Sequence, residues 1–134
     1  MKKLFVSCPM KGRTEENIRK SIEKMHKIAE IVFDEELELI DSYLTEVPGT
    51  RKCALWMLGR SLQMLSVADY FIGISSYSES NPGCMIEREA AYKYGLRTTL
   101  VEMRDIMPDW PEAEYEHFHT ATTAPTTKEN TNET

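Results

Sequence analysis

A doubly wound, parallel α/β sheet is the fold class this chain predicts, and three observations predict it. Short apolar runs alternate with longer helical stretches through the first hundred or so residues. The apolar residues of the first two helical stretches recur at spacings of three and four, the period of one helix face. The run Asp69-Tyr70-Phe71-Ile72-Gly73-Ile74 is followed, after a polar loop, by Asn81-Pro82, a good N-cap with proline at the first helical position.

Taken in order, Leu4-Phe5-Val6 begins a first strand that ends near Ser7 or Cys8, and Pro9-Met10-Lys11-Gly12-Arg13 makes a turn. Thr14 caps a long helix whose stripe is Ile18, Ile22, Met25, Ala29 and Val32. Leu37, Leu39 and Ile40 form a short second strand, and residues 41–51 form an irregular loop around Val47-Pro48-Gly49. A second helix carries the stripe Leu55, Leu58, Leu62 and Leu65 into the third strand at Asp69. The helix opened by Asn81 runs through Glu89, Ala90, Ala91 and Tyr94 to a stop at Gly95, and Thr98-Thr99-Leu100-Val101 is a fourth strand.

Strands joined through helices imply right-handed crossovers and a parallel sheet covered on both faces. The simplest arrangement is a flavodoxin-like order 2-1-3-4 of four to five strands. The domain is expected over residues 1–106, with a C-terminal extension at 107–119 that packs locally or against a neighbouring subunit. The last fifteen residues, rich in Thr with Asn, Glu and Lys, carry too little apolar content to fold alone and read as a disordered tail at 120–134.

With 134 residues and a net charge of -6, the chain suits one modest core and disfavours a nucleic-acid backbone or an anionic membrane as partner. A small molecule or a protein fits better. There is no apolar run near the roughly 20 residues of a bilayer span, and the initial Met-Lys-Lys leads straight into a strand, so a cytoplasmic protein is expected. Cys8, Cys53 and Cys84 are odd in number and far apart, which suggests neither a disulfide framework nor zinc. No metal and no cofactor are expected. His26 reads as exposed on the first helix, and His117 and His119 as a solvated pair.

Two places carry candidate chemistry. Lys11, Gly12 and Arg13 stand directly before the Thr14 cap, so two cations and several free amides converge on a helix amino terminus, either as a phosphate or carboxylate seat or as a solvated basic turn. The turn is neither a Walker loop nor a dinucleotide glycine fingerprint. A thiolate phosphatase loop fits less well than a buried thiol at Cys8, since four residues rather than five separate Cys8 from Arg13 and Pro9 removes a backbone donor. The second place is Glu87, one turn inside the third helix, at the carboxyl end of a parallel strand where ligands bind. The positive helix end there is expected to favour its ionised form, a candidate nucleophile. Spacing alone does not separate Glu87 from Glu89.

The first strand with its Pro turn, the Ala68-Asp69-Tyr70-Phe71-Ile72-Gly73 strand, and Gly83-Cys84-Met85-Ile86-Glu87 with Ala90, Ala91 and Gly95 downstream resemble the nucleoside 2-deoxyribosyltransferase superfamily. That group includes deoxynucleoside monophosphate N-glycosidases and small uncharacterised bacterial and phage proteins. The likeness spans roughly residues 3–102, and its most specific part is Gly83-x-x-x-Glu87. It implies a nucleophilic glutamate at Glu87, a 5'-phosphate held by the Lys11-Gly12-Arg13 turn and Ser80, and a nucleoside or nucleotide pocket lined by Phe5, Cys8, Met10, Asn81 and Gly83. A homo-oligomer, dimer or larger, follows from the same likeness, and from Trp56, Met57 and Met64 lying off the second helix's leucine stripe. No nucleic acid and no membrane is implied.

The chemistry explains the glutamate. Cleaving an N-glycosidic bond develops oxocarbenium character at C1' of the sugar, which a carboxylate stabilises or traps as a glycosyl ester. The sequence departs from the pattern at two positions. Phe5 stands where a tyrosine orients the glutamate, and Ser61 stands where an aspartate handles the leaving base, about eight residues before Asp69. Either Arg60 and Ser61 supply a different base contact, or the protein binds or sequesters nucleotides, including nucleotide signals, without cleaving them.

Overall fold

The structure is a computed structural model that describes residues 1–43, 53–76 and 81–107. Its elements are β1 (Lys2–Val6), α1 (Glu15–Phe33), β2 (Leu37–Leu39), α2 (Cys53–Leu65), β3 (Tyr70–Ile74), α3 (Pro82–Lys93), β4 (Arg97–Val101) and α4 (Met103–Ile106). Ser80, most of the expected loop at 41–51, the extension beyond Met107, the histidine pair and the tail lie outside the described residues.

The four strands pair in parallel in the order β2-β1-β3-β4, the doubly wound order that the alternation predicts. Side chains alternate along each strand, so a central strand serves two cores. Leu4, Val6, Tyr70 and Ile72 face α1 and α4, where Ile18, Ile22, Met25, Ala29, Phe33, Met103 and Ile106 cover them. Phe5 and Phe71 face the other way and pack with Leu65 of α2 and Ala91 of α3. Helices therefore cover both faces. Among the described residues there is no fifth strand, and no helix is long and apolar enough to cross a membrane.

Helix α1 begins as its sequence dictates, with Thr14 Oγ1 accepting from the Asn17 amide at 3.2 Å. It ends where Asp34 turns left-handed at φ 56°. Its last buried residue is Phe33 rather than Val32, because Phe33 stacks on Tyr70 with ring centroids 4.6 Å apart while Val32 points to solvent. His26 is not a free surface group: its Nε2 donates to the Leu37 carbonyl at 2.8 Å, tying α1 to β2. The expected stripe of α2 holds only towards its end, where Leu62 and Leu65 join the Phe5 and Phe71 core. Leu55 stays 69% exposed.

Candidate functional site

The chain leaves β1 in one direction along the sheet and returns past it to β3, so the switch point of this topology lies between β1 and β3. Ligands of open α/β sheets bind outside the carboxyl ends of the strands at such a point. Ser7 continues β1 past its last assigned residue by donating its amide to the Ile72 carbonyl at 2.9 Å. Strand alternation then aims the Ser7 side chain to the side of Phe5, towards α2 and α3.

That side chain meets Glu87. Ser7 Oγ donates to Glu87 Oε1 at 2.6 Å across 80 residues of sequence, and the Ser61 hydroxyl of α2 makes a second hydrogen bond to the same carboxyl. Three elements thus converge on one buried acid that is 8% exposed. Glu89 instead lies on the outer face of α3, pairing with Lys93 at 3.4 Å, so of the two glutamates Glu87 is the one turned towards Ser7 and Ser61. Burial raises the Glu87 carboxyl above the ordinary range, and the two serine hydroxyls oppose that rise without cancelling it. The net shift of this carboxyl is thus upward, opposite in direction to the effect expected of the helix terminus alone. Loss of water around a carboxylate outweighs the partial charge of a helix end, which is worth roughly 0.3–1 kcal/mol.

A thiol lies beside this acid. Cys84, one helical turn before Glu87, is pushed up to about 12 by burial first and by the neighbouring carboxyl second, so it remains a thiol near neutral pH. Cys8 follows Ser7 and is buried in the core on the α1 side, and neither cysteine is in a disulfide.

The Lys11-Gly12-Arg13 turn is built differently from an open anion seat. Gly12 takes φ 74°, which only glycine adopts without strain, and Lys11 projects into solvent. Arg13 turns inward: Nη1 donates to the Pro9 carbonyl at 2.7 Å and lies 3.5 Å from Cys8 Sγ, while Nη2 donates to the Asn17 carbonyl at 3.1 Å and Ser21 Oγ at 2.7 Å. Ser21 in turn donates to the Ile106 carbonyl at 2.5 Å. The guanidinium thus fastens the turn after β1 to α1, and through Ser21 to α4.

Of the other sequence-derived candidates, Met10 packs against the α1 core, and Asn81 and Gly83 open α3 half-exposed, the Asn81 side chain making no capping bond. Arg60 is exposed and donates to Gln63 Oε1 at 2.7 Å, on a different side of α2 from Ser61. Phe5 is fully buried against Phe71 and lines no surface. The structure brings together Glu87 and Ser61, with Cys8 close behind Ser7, and leaves Arg60, Phe5 and Lys11 outside that group.

Two residues at the site were not anticipated from sequence. Ser7 supplies an orienting hydroxyl, and its signal was its place two residues after Phe5 on the same strand face. Arg88, buried next to Glu87, donates from Nη1 to the Ile74 carbonyl at 2.7 Å and the Ser75 carbonyl at 2.9 Å, so it anchors the end of β3 to α3. Among the described residues no cluster of His, Cys, Asp and Glu could hold a metal ion. No protein-family model, curated protein or solved structure matches the chain.

Proposed function

We propose that this chain cleaves or transfers the N-glycosidic bond of a nucleoside or nucleoside monophosphate, as a nucleoside 2-deoxyribosyltransferase-like enzyme with Glu87 as nucleophile. The observation that carries the reading is the 2.6 Å Ser7–Glu87 hydrogen bond at the switch point, which fixes the orientation of the carboxyl there. In this reading Ser7 takes the orienting part that Phe5 cannot, and Ser61 steadies the same carboxyl. Incubation with a panel of nucleosides and nucleoside monophosphates, followed by chromatography, is expected to show released base. A panel with no release from any member would defeat the assignment.

A second reading is favoured by the burial of Glu87 and by Phe5 and Ser61 standing where the family's tyrosine and aspartate would: the protein binds a nucleotide and leaves it intact. Calorimetry on the same mixtures would then show tight binding with the ligand recovered unchanged. Measured turnover excludes it.

Assembly belongs to the same proposal. Leu55 and Trp56 of α2 are 69% and 52% exposed, an apolar surface on a helix whose other side is already packed. A second copy of the chain covering it is expected to give a dimer or larger species in sedimentation velocity at micromolar concentration. A monomer there counts against it.

A further inference from the structure

The pairing of β1 with β3 stops where the sequence removes a donor. Val6 stands opposite Ile72, and the Ser7 amide makes a rung to the Ile72 carbonyl at 2.9 Å. The next such rung of a parallel ladder would run from the amide of residue 9 to the carbonyl of Ile74. Residue 9 is Pro9, which has no N–H. The sheet therefore parts between β1 and β3 just beyond Ser7, at the switch point.

Arg88 stands in for the missing rung. Its side chain is buried, and Nη1 donates to the Ile74 carbonyl at 2.7 Å and to the Ser75 carbonyl at 2.9 Å. Taking a guanidinium out of water is costly, and here it is sustained by carbonyls at a strand end that need donors. The preceding residue on α3 is Glu87, which Ser7 holds from β1 at 2.6 Å. Consecutive side chains of α3 thus reach the two strands on either side of the parting, one strand each. Ser75 also gives its amide to the Val101 carbonyl at 2.8 Å, so the end of β3 that Arg88 grips is itself fixed to β4.

We propose that Arg88 is a positioning residue for Glu87: it holds α3 to the end of β3 where Pro9 has ended the ladder, and so keeps the Glu87 carboxyl on Ser7. The catalytic consequence rests on the N-glycosidase reading above. Arg88 acts through the placement of α3. Without it, the Ile74 and Ser75 carbonyls turn to water for their donors, and the first turns of α3 shift against β1.

A double-mutant cycle on the full chain tests this, with Arg88→Met removing the donors and Ser7→Ala removing the contact they protect. Should Arg88→Met fail to fold, Arg88→Lys takes its place, since it keeps the charge without the planar fork. On any nucleotide the protein cleaves, the Arg88 variant is expected to lower kcat by about tenfold to a hundredfold, the cost of misplacing the carboxyl by about 1 Å, and to leave KM unchanged. The double variant is expected to lose little more than Ser7→Ala alone. Met25→Ala, a truncation in the core on the α1 side, controls for general destabilisation and is expected to keep kcat near the wild-type value. An unchanged kcat in the Arg88 variant, losses that multiply in the double variant, or an equal loss in Met25→Ala each overturn the inference. Urea denaturation of the wild type, the two single variants and the double variant gives a readout apart from activity. Coupling between the two positions is expected there, and additive losses overturn the inference. No release by the wild type from any nucleotide defeats the N-glycosidase reading, and the urea cycle then decides by itself whether Arg88 holds Glu87 in place.

Discussion

Glu87→Gln is expected to lower base release by at least about a thousandfold while making the folded protein more resistant to rising pH. The amide keeps the shape of the side chain and still accepts from Ser7 Oγ, but it has neither the charge nor the nucleophilicity to trap C1'. The stability effect follows from burial. In the folded chain the Glu87 carboxyl is raised above its ordinary value of 4.5, so the folded state holds that proton more tightly than the unfolded state. The stability this gives is fully present below the ordinary carboxyl range and is lost as pH rises through the elevated value. Glutamine has no proton to lose there. Denaturant midpoints measured from pH 4 to pH 9 should therefore fall less for Glu87→Gln than for the wild type. Ser7→Ala is expected to steepen the wild-type decline, since it removes a hydrogen bond that opposes the upward shift. Parallel profiles for all three proteins would show that Glu87 is not the buried acid described here, and undiminished release by Glu87→Gln would remove it from the chemistry.

The fold was legible because each strand and helix carries its own local signal. Tyr70-Phe71-Ile72-Gly73-Ile74 is buried throughout, and such an uninterrupted apolar run belongs to a strand covered on both faces. Ile18, Ile22, Met25 and Ala29 share one helix face for the same reason that they share one core. Helix α4 escaped notice because four residues are too few to show a period.

The site was legible in position but not in detail. Asn81-Pro82 and the strand before it locate Glu87 at the end of the sheet, whereas its protonation depends on how much water three converging elements exclude. That is a tertiary quantity. Arg13 shows the same limit: two cations one residue apart suggest an anion seat, and only the fold reveals Ser21, a serine within the apolar stripe of α1, as one of its partners. A polar residue inside an apolar stripe was the available clue. Leu55 fits a helical period and yet lies exposed, because a period reports which residues share a face and not whether anything covers that face.

Phe71→Ala is expected to cost about 3–5 kcal/mol of folding stability, the range for truncating a large core aromatic. Phe71 is completely buried, and its ring lies stacked on Phe5 with centroids 6.0 Å apart and planes 5° from parallel. This pair fills the space between β1, β3 and the two helices that carry Ser61 and Glu87. The ring also explains Gly73. A Cβ at that position would stand 2.6 Å from Phe71 Cε1 and 2.9 Å from Cζ, and the Phe5 stack leaves the ring little freedom to withdraw. Gly73→Ala alone should thus cost about 1–3 kcal/mol by overpacking. With Phe71→Ala already present the obstructing ring is gone, so adding Gly73→Ala should cost almost nothing. Urea denaturation of the wild type, both single variants and the double variant measures this coupling. Additive losses would show that the ring and the glycine are independent, and the account of why β3 carries glycine beside the Ser7–Glu87 contact would have to be abandoned.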